Sequence, residues 1–217
     1  MSVISYALPI PYETRLSERR TPYGGSPRYN NTRWRGEVFN KILERYVTSL
    51  LEVMGYDAVA PSQANFFERK DTPVGWMANW SQRHIAYASG LGTFGLHGLM
   101  ITPKGSAVYL GSAVCDLPLT PTPRVYENHL ANCLFYRDGS CRRCLERCMA
   151  SAISELGRNN LRCRENLTKT QHELIRKLGK DKDLIGRALA CGLCSTNVPC
   201  EDKIPSPRAS GDKQWSG

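Results

Sequence analysis

The sequence has 217 residues, of which 41% are apolar and 23% charged, so it can bury a core and is not a disordered chain. Its 29 Lys and Arg residues against 20 Asp and Glu residues give a formal charge of +9 when every thiol is neutral. The chain also contains nine cysteines, and thiolates bound to a metal would lower this charge.

The N-terminal half predicts a mixture of strands and helices. Residues 3–10 are apolar and predict a buried strand, and the polar residues 12–35, rich in Pro and Gly, predict a long irregular connection. From Gly36 the apolar residues recur at spacings of three and four, which predicts a helix ending at Gly55. Its predicted core face consists of Val38, Phe39, Ile42, Leu43, Tyr46, Val47, Leu50, Leu51 and Met54.

Further elements follow before a proline-rich break. The segment DAVAP predicts a short strand, and a second helix is predicted from Asn79 or Ser81 to Gly90. The apolar runs LMIT and AVYL flank PKGS, which predicts a β-hairpin. The prolines at positions 118, 121 and 123 predict a domain boundary. We therefore expect an α/β domain over 1–124, a cysteine-rich domain over 125–205 and a flexible tail over 206–217.

The compartment decides how the cysteines are interpreted. No basic segment precedes the N-terminal apolar stretch, which Pro9 and Pro11 interrupt, so we expect no secretory signal. No apolar run approaches the roughly 18 residues of a membrane span. We therefore expect a soluble, cytoplasmic protein without a membrane partner, in which clustered cysteines bind metal or perform redox chemistry rather than form disulfides.

Eight of the nine cysteines form two groups with related spacing. In two-cluster ferredoxins the cysteine that follows C-x2-C after three more residues ligates the other cluster. This rule predicts a first cysteine group of Cys133, Cys141, Cys144 and Cys200 around one [4Fe-4S] cluster. It predicts a second cysteine group of Cys148, Cys163, Cys191 and Cys194 around another, and leaves Cys115 unassigned.

Other uses of these cysteines are disfavoured. Two structural zinc sites would also consume eight thiolates, but zinc sites usually pair two C-x2-C hairpins and do not need the third cysteine. A disulfide framework does not suit the expected compartment. The radical-SAM motif has the reverse order, C-x3-C-x2-C.

Residues 90–95, GLGTFG, match the pattern G-x-G-x-x-G. A dinucleotide site needs a strand before these glycines and a helix after them, whereas here the predicted order is helix and then strand. Two interpretations remain open. The glycines serve a tight helix-to-strand connection, or they let the backbone approach a large, flat or anionic ligand.

The stretch RHIAYASGLGTFGLHGLMITPKGSAVYLGSAVCDLPL, followed by the two cysteine groups, resembles the epoxyqueuosine reductase family, which is related to the reductive dehalogenases. The resemblance implies a nitroreductase-like, corrinoid-binding α/β core followed by a ferredoxin-like domain with two [4Fe-4S] clusters. It implies a short branch without the C-terminal helical repeats of members that act on tRNA. A stretch similar to that of the family's proposed proton donor contains Asp71, but it lies further from Gly90 than in the family, so no catalytic residue is assigned.

The resemblance also implies cofactors, partners and an activity. The corrinoid, cobalamin, would lie against Arg83, His84, Gly90, Gly92 and Gly95. The clusters would relay electrons from a ferredoxin- or flavodoxin-type donor to this corrinoid or to a substrate, as in an oxidoreductase. The alternative is a non-catalytic, ferredoxin-type electron carrier or the redox subunit of a larger complex. We expect no nucleic-acid partner, because two clusters would reduce the charge to about +5.

Overall fold

The computed structural model describes residues 1–22, 24–126, 128–178 and 190–206, and it confirms a mixed α/β fold. The helices are α1 (Tyr12–Arg19), α2 (Pro27–Val53), α3 (Gln82–Ala88), α4 (Leu134–Asp138), α5 (Arg143–Glu146) and α6 (Asn160–Leu178). The strands are β1 (Ser2–Pro9), β2 (Ala58–Val59), β3 (Arg69–Thr72), β4 (Gly75–Ala78), β5 (Thr93–Phe94), β6 (Met100–Ile101), β7 (Val108–Cys115), β8 (Ile153–Ser154) and β9 (Gly157–Arg158). The predicted tail lies, from residue 207 onwards, outside the described residues.

The main sheet has three antiparallel strands with β7 at its centre. Strand β1 pairs with all of β7, from Ser2 opposite Cys115 to Pro9 opposite Val108, and β2 pairs with the other edge. Both predicted strands are therefore confirmed. The N-terminal strand is mostly half-buried rather than buried, because it lies at the edge of the sheet.

The predicted hairpin of LMIT and AVYL is wrong. The turn itself exists, since Thr102 and Gly105 form an isolated bridge, but the flanking strands do not pair with each other. Strand β6 pairs with β5, and β7 pairs with β1 and β2. The local pattern predicted two strands and a turn correctly, whereas the long-range partners decided the pairing.

The irregular connection predicted over 12–35 is also wrong, because it contains α1 and the start of α2. Helix α2 begins nine residues before Gly36, at Pro27, after Ser26 as its N-cap. The Ser26 side chain accepts a hydrogen bond from the backbone N–H of Tyr29 at 3.1 Å. Serine at the N-cap followed by proline is a favoured helix start, and the surrounding glycines and prolines concealed it.

The apolar face predicted for α2 is largely exposed, and Leu51 is its one buried residue. The buried residues of the helix are Tyr29, Asn30, Glu44, Thr48 and Leu51, whereas most of the apolar side chains predicted for the core are exposed. The reason is a polar contact with the sheet and its neighbours. The buried Glu44 carboxylate accepts hydrogen bonds from Ser62 at 2.6 Å and Gln82 at 2.8 Å.

The C-terminal described segment packs against the start of the main sheet. Ser106 N–H donates to the Cys200 carbonyl at 2.8 Å, and Ala107 N–H donates to the Glu201 carbonyl at 3.0 Å. This pairing fixes the last cysteine beside β7. The domain boundary after residue 124 stays a prediction. Among the described residues, no helix is both long and apolar enough to cross a membrane.

Candidate metal centres

The first cysteine group lines a single small cavity. Cys133 precedes α4, Cys144 lies in α5, Cys141 precedes that helix, and Cys200 comes from the C-terminal segment. The rest of the lining is mainly apolar and consists of Leu96, His97, Ile101, Leu134, Phe135, Val198, Pro199 and Pro205. The fold therefore brings four thiols together, although the first and the last of them, Cys133 and Cys200, are 67 residues apart in the chain.

Two of these thiols, those of Cys144 and Cys200, have raised pKa values and resist ionisation unless a positive group accompanies them. Burial, together with the nearby thiols of Cys133 and Cys141, raises the pKa of Cys200 to about 12, although a hydrogen bond from Ser106 opposes the shift. Burial and four neighbouring cysteines also raise the pKa of Cys144. A coordinating metal reverses this preference, because it deprotonates its thiol ligands outright.

His97 contacts the first cysteine group directly. It is 1% exposed, and its Nδ1 accepts a hydrogen bond from the Leu99 N–H at 3.0 Å. Burial and the charges of Arg158 and Arg83 lower the pKa of His97 to about 3, so the ring is neutral. The proton then resides on Nε2, which points at the Cys200 sulfur 3.5 Å away. Ser106 Oγ donates to the same sulfur at 3.7 Å.

The thiols of the second cysteine group are also neighbours. Burial raises the pKa of Cys194 to about 11, and nearby Cys163 and Cys148 add to the shift while Arg158 opposes it. Burial also raises the pKa of Cys191, with Cys194 and Cys163 among the causes. Hydrogen bonds also reach the sulfurs of this group: Ala152 N–H donates to Cys148 Sγ at 3.3 Å, and Arg158 Nη2 donates to Cys163 Sγ at 3.1 Å.

The N-terminal part of the chain forms a wall of the second group. A Cβ atom on Gly24 would lie 2.1 Å from the Cys191 sulfur, so only glycine fits there without a shift of the chain. Glu18, which is fully buried, accepts hydrogen bonds from the backbone N–H groups of Gly25, Ser26 and Gly192 at 2.8, 2.8 and 2.9 Å. One carboxylate thus joins α1, the Gly24 loop and the Cys191 loop.

A second buried carboxylate holds the segment that carries Cys200. Glu201 is 2% exposed and forms ion pairs with Arg15 and Arg19, both at 2.7 Å. It also accepts the Asn197 N–H at 2.7 Å. Sequence reasoning missed both Glu18 and Glu201, because a single glutamate in a polar segment carries no local signal of burial.

Neither cysteine group converges on a single point. Within the parts of the chain that the structure describes, no three His, Cys, Asp or Glu side chains converge closely enough to hold one metal ion. A zinc ion needs four ligand atoms at about 2.0–2.3 Å from one point. A [4Fe-4S] cluster takes one thiolate at each of four irons, so its ligands need not converge on one point.

Cys115, the unassigned cysteine, is buried in β7 opposite Ser2 and Ala58.

The residues expected to contact a corrinoid have partners within the chain. Arg83 donates to the Gly98 carbonyl, and burial followed by nearby Arg158 lowers its pKa. His84 is exposed, and its Nδ1 lies 2.8 Å from the Ser81 hydroxyl.

The three glycines of the loop also approach the chain itself. Gly90 has a φ of +75° in the turn after α3. A Cβ on Gly92 would lie 2.4 Å from the Ile101 carbonyl oxygen, and one on Gly95 would lie 2.6 Å from the His97 ring. These contacts match the tight helix-to-strand connection. They also make Gly95 the residue that leaves room for His97.

Asp71 lies in β3 opposite Trp76 of β4. Its carboxylate forms an exposed ion pair with Arg164 of α6 at 2.7 Å. The same guanidinium lies 4.5 Å from the centre of the Trp76 ring. The position of Asp71 is therefore tied to α6.

The chain is similar to curated epoxyqueuosine reductases, although no protein-family model matches it. It is 34% identical to that of Staphylococcus aureus over 93 residues, which are 42% of this chain and 22% of that protein. It is 27% identical to that of Lactococcus garvieae over 208 residues, which are 94% of this chain and 53% of that protein. The chain thus spans at most about half the length of these relatives.

Solved epoxyqueuosine reductases are similar in structure as well. The enzyme from Streptococcus thermophilus matches 95% of this chain and 50% of its own chain, with a TM-score of 0.48 and 22% identity. Another, which contains an epoxyqueuosine-modified tRNA stem loop, matches 94% of this chain and 49% of its own, with a TM-score of 0.48 and 20% identity. The curated relatives thus show that this chain is similar to the epoxyqueuosine reductases over most of its length.

Proposed function

We propose that the chain is an iron-sulfur redox enzyme similar to the epoxyqueuosine reductases, with one [4Fe-4S] cluster bound by each cysteine group. The observation that carries the proposal is that eight cysteines, scattered over 68 positions from Cys133 to Cys200, lie as two sets of four neighbours. When bound, such clusters supply one-electron transfer. The ferredoxin spacing rule, which predicts the same two sets, supports the proposal.

The chain itself positions the two sites, excludes water from them and sets the strength of the charge interactions there. Leu96, Ile101, Phe135 and Val198 exclude water from the first group, and low dielectric strengthens every charge interaction there. The two groups are adjacent, since Cys194 of the second contributes to the raised pKa of Cys144 in the first. This adjacency supports an electron relay from one site to the other.

The proposed partners are a donor protein of ferredoxin or flavodoxin type and, in the enzyme, bound cobalamin that accepts the electrons. We expect no nucleic-acid partner, and direct binding measurements with RNA test this expectation. A similar structure contains a tRNA stem loop, which is an observation on that protein. With two clusters bound, the remaining charge of about +5 is still positive, so an anionic partner is not repelled.

The second candidate function is that of an electron carrier with intact clusters and no corrinoid. The contacts of Gly92 with Ile101 and of Gly95 with His97 favour it, because these glycines already serve the packing of the chain. A carrier needs the two clusters and a docking surface only. Cobalamin binding separates the two candidates.

Anaerobic purification tests the proposal. We expect a brown protein with broad visible absorbance and about eight irons and eight sulfides per chain. A colourless protein that contains zinc contradicts both candidates. Titration with cobalamin should then give saturable binding with the enzyme and none with the carrier. Titration with a tRNA stem loop, repeated at raised salt, shows whether nucleic acid binds.

Replacing His97 with leucine should make the potential of the first cluster more negative. The Nε2–H group stabilises the sulfur more when the cluster gains an electron, and a difference of about 1 kcal/mol corresponds to roughly 40 mV for one electron. Redox titration followed by electron paramagnetic resonance measures the shift. His129→Leu, at an exposed position, is the control. Equal potentials in wild type and His97→Leu, with full iron content in both, would show that the contact does not tune the cluster.

A further inference from the structure

Helix α2 turns an apolar face towards solvent. Along this face, Val38, Phe39, Ile42, Tyr46, Leu50 and Val53 expose between 48% and 86% of their surface, and Trp34 and Met54 flank them at 44% and 57%. Side chains of this size expose together on the order of 700 Å², more than the roughly 300–600 Å² of the largest patch on an ordinary monomer. The face therefore requires an explanation.

Buried polar contacts on the opposite face of α2 fix the rotation of the helix about its own axis. Asn30 on that side donates to the Gly25 carbonyl at 2.7 Å, and its Oδ1 accepts the Ala190 N–H at 3.0 Å. Glu44 accepts hydrogen bonds from three side chains, those of Ser62, Gln63 and Gln82. These buried polar groups have partners on the sheet side, so rotating the helix would leave them unpaired.

The spacing of the exposed residues is that of a helix-helix seam. Phe39, Ile42, Tyr46, Ser49 and Val53 recur at alternating intervals of three and four, which is the a/d repeat of helices that pack side by side. The spacing of the exposed apolar residues is similar on both sides of its midpoint, which lies between Ile42 and Tyr46. A second, antiparallel copy of α2 would place Ile42 against Tyr46, Val38 against Leu50 and Phe39 over the small Ser49.

We propose that this α2 face binds a second copy of the chain, with the two helices antiparallel about a two-fold axis between Ile42 and Tyr46. A two-fold interface must be self-complementary, and the apolar pattern meets that condition. Arg35, the next position of the repeat before Phe39, would lie level with Val53 of the second copy near each end of the seam, where its charged group can stay in water. The area on each copy approaches the roughly 800 Å² per partner of a standard interface. The proposal does not depend on cluster or corrinoid binding.

Sedimentation of the full chain, prepared with its cofactors, tests this proposal. We expect a mass twice that of the chain at micromolar concentration, and the mass of one chain for Tyr46→Glu, because the substitution would bury two carboxylates at the seam. Leu156→Glu is the matched control, since Leu156 is 99% exposed in the β8–β9 turn and its substitution should leave the dimer intact. Circular dichroism and iron content should be unchanged in both variants, because neither side chain lies in the core.

A wild-type chain that sediments as a monomer up to about 100 µM, where even weak specific complexes assemble, would overturn the proposal. So would a dimer that Tyr46→Glu leaves intact, because its interface would then lie elsewhere.

Discussion

Replacing Cys144 with alanine is expected to lower the iron content of the anaerobically prepared protein from about eight to about four atoms per chain. Cys144 lies in the cavity of the first group, and three thiols cannot hold all four irons against exchange and oxidation. Cys191→Ala should remove the other four irons, and the double variant should be nearly iron-free. Iron and sulfide analysis, together with visible absorbance, measures the loss.

Cys115→Ala is the matched control for these variants. Cys115 is 2% exposed, as buried as the candidate ligands, but lies within the main sheet. We expect full iron content from it and only the modest destabilisation of a small core cavity. If Cys144→Ala kept eight irons, or if Cys115→Ala lost four, the assignment of the ligands would be wrong. Loss of all eight irons in either single ligand variant would show that the two sites assemble cooperatively.

Glu18→Ala should lower the free energy of unfolding by about 3–5 kcal/mol, because it leaves three buried N–H groups without an acceptor. The same change should reduce iron retention in the second cysteine group, since Glu18 joins the Gly24 loop to Gly192 beside Cys191. Urea unfolding and iron analysis after dilution measure the two effects.

Two further variants delimit the role of Glu18. Glu18→Gln keeps an acceptor oxygen and should lose less stability than Glu18→Ala. Glu13→Ala, on the exposed side of the same helix, should change the free energy of unfolding by no more than about 0.5 kcal/mol. A Glu18→Ala protein as stable as the Glu13→Ala protein would show that the three hydrogen bonds contribute little to stability. Full iron retention in Glu18→Ala would show that this carboxylate does not support the second cysteine group.

The dimer and the cluster sites are independent features of the same chain. The α2 seam lies on the side of the helix away from β7, whereas the cysteine groups are bounded by the Gly24 loop, α4, α5 and the C-terminal segment. Tyr46→Glu should therefore change the mass without changing the iron content, and Cys144→Ala should do the reverse. These two variants test the two proposals separately.

The sequence by itself determined the features that depend on local spacing. The C-x2-C pairs and the cysteine three residues further on predict how the thiols divide between two centres, because chain geometry near a tight turn limits which thiols can share one. Apolar periodicity likewise predicted a helix across Val38 and Met54, and Gly55, with a φ of +89°, follows its C-cap as expected. The C-x2-C pairs and the helix end at Gly55 each depend on only a few neighbouring residues, so local spacing is enough to predict them.

Only the tertiary structure decided what depends on distant partners. The LMIT and AVYL strands separate because β1 offers a longer antiparallel partner for β7, although its Pro9 lies opposite Val108 from 99 positions away in the chain. Glu44 turns the polar side of α2 inwards because Ser62 and Gln82 provide hydrogen bonds there. Glu18 and His97 acquire their roles from Gly192 and Cys200, residues more than 100 positions away. Burial of a polar group is favourable only when such partners exist, and no local pattern in the sequence contains them.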